Sequence, residues 1–79
     1  VATVEQEVLS YLNETLGSDI EIDVTKKLYE DLNLDSLDVI EMNIRLEETF
    51  NIVIEDDFLA HAITVNDLIE KIRSKFNLV

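Results

Sequence analysis

The sequence contains no cysteine, which excludes a disulfide framework, a thiolate nucleophile and a sulfur-ligated metal. It has a single histidine, His61, set between Ala60 and Ala62, with no serine or cysteine in a characteristic relationship to it. His61 therefore reads as a structural or surface residue. No run of about 18 apolar residues occurs, so no membrane span is expected, and no basic apolar leader opens the chain. Together with the missing cysteines this is compatible with a reducing interior, and a cytoplasmic protein is the expectation. Basic residues are scarce as well: six against eighteen acids leave a net charge of -12. That balance opposes binding to phosphate backbones and to anionic lipid, and favours partners with basic surfaces. It also predicts internal repulsion, so stability should rise with added salt or divalent cations.

What is present suits a folded domain. Hydrophobic residues make up 47% of the chain and charged residues 30%, a balance that argues against disorder. At 79 residues the chain is expected to be one domain, 1–79, burying about 60% of its unfolded surface.

Three segments carry helical periodicity. Thr3 and Gln6 form a capping-box pair, and Val4, Val8, Leu12 and Leu16 follow at every fourth position, which predicts a helix over about 4–16. Gly17, the only glycine, falls where a left-handed closing residue is needed. The second helix is expected from Ser36, with Asp35 as N-cap and Asp38 placing another carboxylate among the free N–H groups. Leu37, Ile40 and Ile44, with Met42 and Leu46, supply its apolar face, which Phe50 closes; Glu41, Glu47 and Glu48 lie on the wetter side, and Asn51 ends it. Thr64 and Asp67 cap a third helix bearing Val65, Leu68, Ile69, Ile72 and Phe76, with Lys71, Arg73 and Lys75 where the dipole favours cations. Asp56 or Asp57 is expected to cap a short helix reaching about His61.

Residues 18–30 are less regular. Ile20, Ile22 and Val24 alternate with acids in the manner of a short strand, but only Ile52 and Ile54 hint at a partner. The segment reads as a long loop plugging the core, with Thr25 capping one turn around Lys26 to Tyr29. The fold class is thus all-α: a small bundle of three main helices plus one short helix, with a long loop between helices one and two.

No catalytic residue stands out. Asp31, Asn33 and Asp35 match the opening of a calcium loop, but Ser36 replaces the required glycine and Met42 the bidentate glutamate, so no metal site is expected. The acids around Ser36 are more informative: Glu30, Asp31 and Asp35 precede it, and Asp38 and Glu41 follow. Such a field steers and orients a basic partner. The serine has no base to activate it, so it reads as a residue acted upon, by phosphorylation or by attachment of a cofactor.

Asp35-Ser36-Leu37, within DLNLDSLDVIE, resembles the attachment motif of acyl carrier proteins. The resemblance extends through the long loop, the LEETF ending of helix two, IVIEDD, and the closing ITVNDLIEKI. It implies a non-enzymatic carrier with 4'-phosphopantetheine covalently on Ser36, whose terminal thiol holds acyl intermediates as thioesters and supplies the sulfur the chain lacks. Asp35 and Leu37 would be recognised by the phosphopantetheinyl transferase, Asp35 through a magnesium ion bound to that enzyme. Asp38, Glu41, Glu47 and Glu48 would meet lysines and arginines of partners such as ketosynthases and acyltransferases. Ile44, Leu46, Ile54, Leu59, Ile63 and Leu68 could part to shelter an acyl chain, although each reads equally well as core. A monomer is expected.

Four residues depart from the family pattern. Asn33 stands where glycine is usual and Glu55 where proline is usual, while Asn43 and Arg45 replace small or apolar residues of helix two. Arg45 is expected to put a positive charge into the docking field, and Asn43 to penalise a long buried chain. The carrier is expected to serve fatty acid or related lipid or polyketide biosynthesis, with aminoacyl cargo as an alternative; these departures weigh toward a specialised carrier over the housekeeping one of fatty acid synthesis. A small acidic interaction domain without a prosthetic group is the alternative.

Overall fold

The computed structural model describes residues 2–17, 21–55, 57–59 and 61–79. Three helices are formed among them: α1 (Val4–Leu16), α2 (Ser36–Phe50) and α3 (Val65–Phe76). All three begin with a complete capping box, from Thr3 and Gln6, Asp35 and Asp38, and Thr64 and Asp67. Each box satisfies two backbone N–H groups that the first turn would otherwise leave open. At α3 the Asp67 carboxylate also accepts the Ile63 N–H at 3.1 Å, and these backbone donors hold its pKa below the ordinary value.

The helices end where left-handed backbone is tolerated. Gly17 (φ 83°) closes α1, and Asn51 (φ 55°) and Asn77 (φ 53°) close α2 and α3. Asparagine is among the few side-chain-bearing residues that enter this region readily.

The core is aliphatic. Val4, Val8 and Leu12 of α1 meet Leu68, Ile69 and Ile72 of α3 and Met42 and Leu46 of α2, all almost wholly excluded from water. Helix α1 packs on both α2 and α3, whereas α2 and α3 make no close backbone approach to one another. Buried residues from the connecting segments complete the core: Leu28, Leu32 and Leu34 before α2, and Ile54, Leu59 and Ala62 after it. The segment around Leu59 is held against α3 by Phe58, whose ring meets Phe76 edge-on at 6.2 Å and lies under the Lys71 and Lys75 ammonium groups.

Several expectations change here. The loop before α2 does pair with another segment, but its partner is 63–66 rather than 52–54. Leu28 N–H donates to the Ile63 carbonyl, Val65 N–H to Lys26 and Asn66 N–H to Val24, around a single antiparallel bridge between Lys27 and Thr64. The turn in this loop is organised by Asp23, which accepts from the Thr25 N–H and hydroxyl, and Thr25 is not its cap. Where a short helix capped by Asp56 or Asp57 was expected to reach about His61, residues 57–59 form a turn; Asp56 and Ala60 lie outside the described residues, as does Ile20.

The inner face of α2 is also different. Val39, Met42, Asn43 and Leu46 are buried, while Leu37, Ile40 and Ile44 are exposed. The helix carries two apolar stripes, and only one of them enters the core.

Candidate functional site

The corner that presents Ser36 is built by backbone hydrogen bonds. Lys27 N–H donates to the Asp31 carboxylate at 2.8 Å, the Asp31 and Leu32 N–H groups donate back to the Lys27 carbonyl, and Leu34 N–H reaches the Leu28 carbonyl. Asn33 makes the turn in the left-handed region at φ 55°, so the asparagine takes the conformation for which glycine is preferred. Leu32 and Leu34 are buried on either side of it. They anchor the corner, and Asp35 and Ser36 emerge at the surface.

At the start of α2, Asp35 Oδ1 accepts the Asp38 N–H at 2.9 Å and Asp38 Oδ2 accepts the Asp35 N–H at 3.1 Å. The two carboxylates do the capping. No hydrogen bond among the described residues engages the exposed Ser36 hydroxyl, which stands at the first helical position. The calcium-like triplet is taken up by the backbone in the same way: Asp31 holds Lys27, Asn33 makes the turn and Asp35 caps.

The acids foreseen for docking line the exposed side of α2, and three of them are anchored. Besides Asp38 in its capping box, Glu41 Oε2 lies 3.3 Å from the Tyr11 hydroxyl, which also reaches the Asp38 carbonyl at 3.1 Å. Glu47 Oε2 accepts the Ile54 N–H at 2.7 Å. Each of these acids is held through one oxygen, Asp38 by its own helix's N-cap and Glu41 and Glu47 by neighbouring segments, which orients the carboxylates; Glu48 is exposed. Burial raises the Tyr11 pKa above the ordinary tyrosine value, so the phenol remains a donor to this pair at neutral pH.

Running between the acids is an apolar strip missed from the sequence. Leu37 is 60% exposed and Ile40 and Ile44 are each 49% exposed, spaced i, i+3 and i+7 along one face of α2. Spacing alone made them core, and their position outside it makes them surface available to a partner.

Arg45 does not join this surface. Its guanidinium turns to α1, pairing with Glu14, with Glu7 at 3.8 Å and with the Ser10 hydroxyl at 3.5 Å. The expected positive charge in the docking field is spent on holding α2 to α1. Arg45 also keeps the Glu14 carboxyl below the usual carboxylate range. A carboxyl with a lowered native pKa stabilises the fold above its unfolded value, near pH 4.3, and loses that contribution as pH falls through the lower native value. Arg45→Met should remove this increment. Urea midpoints of wild type and variant should therefore differ at pH 6 and converge on acidification below about pH 4.

The residues foreseen as an acyl pocket divide. Leu46, Ile54, Leu59 and Leu68 are buried in the core, whereas Ile44 and Ile63 are exposed. Ile63 instead borders an open groove with Lys27, Tyr29, Glu30, His61 and Ala62.

The model of the "Phosphopantetheine attachment site" family matches residues 6–72. The acyl carrier protein of Desulforapulum autotrophicum is 44% identical over 75 residues, covering 92% of this chain and 97% of that protein. That of Chlamydia caviae is 38% identical over 74 residues, covering 92% and 96%. A solved Mycobacterium tuberculosis structure assigned as an acyl carrier protein superposes with a TM-score of 0.77 at 26% identity, covering 92% of this chain and 99% of that one. With a matching attachment domain over most of its length and relatives aligned nearly end to end, the chain belongs to the acyl carrier protein family, as a carrier rather than a catalyst, and its prosthetic group is 4'-phosphopantetheine.

Proposed function

We propose that Ser36 bears the 4'-phosphopantetheine as a phosphodiester and that the protein shuttles acyl intermediates between enzymes of fatty acid, related lipid or polyketide synthesis. The observation that carries this reading is the Ser36 hydroxyl, exposed at the start of α2 and left out of the cap by Asp35 and Asp38. The N-terminal end of a helix favours a bound phosphate through its dipole and free N–H groups. The arm's thiol supplies the thioester chemistry that a chain without cysteine cannot.

The remaining roles belong to the chain's own surface. Asp35 and Leu37 flank the serine for the phosphopantetheinyl transferase. Asp38, Glu41, Glu47 and Glu48 form an acidic rim for basic partner surfaces, such as those of ketosynthases and acyltransferases. Leu37, Ile40 and Ile44 give that rim an apolar centre. Exposed ion pairs contribute about 0.2–1 kcal/mol each, so several oriented acids hold a partner while allowing release. Of the residues that would part around an acyl chain, Leu46, Ile54, Leu59 and Leu68 are buried, and Ile44 and Ile63 stand at the surface. The protein works as a cytoplasmic monomer in this reading.

Loading tests it. Protein carrying the arm and incubated with an acyl donor and an acyl-transferring enzyme should gain one acyl group that neutral hydroxylamine removes. An acyl group stable to hydroxylamine would count against the reading.

A further inference from the structure

Asn43 is the one polar residue among those buried in the described structure, 8% exposed. Its Oδ1 is wholly shielded from water and accepts no hydrogen bond among the described residues. Buried acceptors are nearly always satisfied, because an orphaned one loses its hydration without compensation. Asn43 sits on the buried face of α2 with Val39, Met42 and Leu46, an otherwise aliphatic surface.

Its place on that face is specific. The side of α2 that carries Arg45 and Glu41 is bonded to α1 through Glu14 and Tyr11. Asn43 occupies the opposite edge of the buried face. Glu47, one turn further along that edge, bonds the Ile54 N–H of the connecting segment. Ser36 lies seven residues before Asn43, on the same side of the helix and about 10 Å away along its axis. No close α2–α3 approach seals this side; the connecting segment reaches it at Ile54, bonded to Glu47, and its Ile54, Leu59 and Ala62 are buried in the core. A group reaching inward from Ser36 can enter here by displacing a loop, without separating two helices.

We propose that Asn43 determines cargo specificity, selecting acyl chains that carry a hydroxyl group over plain hydrocarbon chains. The inference rests on the carrier reading above and deepens it. An alkyl chain lodged beside Asn43 leaves Oδ1 orphaned. A ketone adds a second acceptor and no donor. A hydroxyl can donate to Oδ1, the bond that neither the alkyl chain nor the ketone can supply. The selection is one of differential affinity: the same methylenes are buried in each case, and only the hydroxylated chain restores the missing hydrogen bond.

The test compares four cargoes of equal length, loaded from their coenzyme A thioesters by a phosphopantetheinyl transferase: octanoyl, 3-oxooctanoyl, 3-hydroxyoctanoyl and 7-hydroxyoctanoyl. The readouts are the rate of thioester cleavage by an added thiol and the exchange of the Met42 and Leu46 amides. In wild type, at least one hydroxylated chain should be cleaved about three- to tenfold more slowly than octanoyl, the factor expected of one restored hydrogen bond to a buried group. The 3-oxo chain should gain no such protection. Asn43→Leu should cancel or reverse the preference. Equal or better sheltering of octanoyl in wild type overturns the inference while leaving the carrier reading intact, and needs no variant. A hydroxyl preference that survives Asn43→Leu also overturns the role of Asn43. Failure of every cargo to load overturns the carrier reading and this inference with it.

Discussion

Ser36→Ala protein, incubated with coenzyme A and a broad-specificity phosphopantetheinyl transferase, should gain no mass, while wild type under the same conditions is converted fully. The loss should be complete because no other residue offers a hydroxyl in the same setting, at the first position of a capped helix beside Asp35 and Leu37. The variant should also fold as well as wild type. Asp35 and Asp38 cap each other across α2, so the serine side chain contributes nothing to the helix start. Alanine is a good helix former, and an exposed substitution of this kind usually moves stability by no more than about 0.5 kcal/mol. Circular dichroism and a urea midpoint beside the mass measurement separate lost attachment from lost fold. Attachment that persists in the variant would mean that another residue takes the arm.

Replacing Asn43 should do the reverse, improving the fold. Asn43→Leu exchanges a buried, unpartnered amide for an apolar side chain of similar size, among Val39, Met42 and Leu46. Relieving an unsatisfied buried acceptor should raise the unfolding free energy by about 1–3 kcal/mol. The urea midpoint should move up at unchanged slope, since the surface exposed on unfolding hardly changes. A lower midpoint would mean that the carboxamide is held by interactions the leucine cannot replace. A stabilising substitution this accessible is also informative about the cargo: the asparagine costs the empty fold something, and the hydroxyl preference proposed above gives that cost a use.

Local chemistry was the most legible part of the sequence. The caps at Thr3, Asp35 and Thr64 and the Gly17 and Asn51 terminators all depend on residues within a few positions of one another, and all are present. The inner face of α2 was not legible in the same way. Leu37, Ile40 and Ile44 repeat at i, i+3 and i+7, and so do Val39, Met42 and Leu46; periodicity alone does not say which stripe meets the core. Arg45 was misjudged because its partners, Glu7, Ser10 and Glu14, lie more than thirty positions earlier and become neighbours only when α1 packs on α2. The alternation of Ile22 and Val24 builds no strand among the described residues; the loop meets 63–66 only from Val24 onward, around the single bridge between Lys27 and Thr64. The corner that exposes Ser36 was legible because it is written in consecutive residues, and the orientation of the acids along α2 was obscure because it depends on Tyr11 and Ile54 from elsewhere in the fold.

The central claim is that this carrier takes its arm on Ser36. Its most direct test is the intact mass of wild-type protein after incubation with coenzyme A and a phosphopantetheinyl transferase, followed by fragmentation to locate the added group. The prediction is a single phosphopantetheinyl increment on the peptide containing Asp35-Ser36-Leu37, localised to the serine. No increment on the folded protein with any of several transferases, or an increment localised to a different residue, would contradict it.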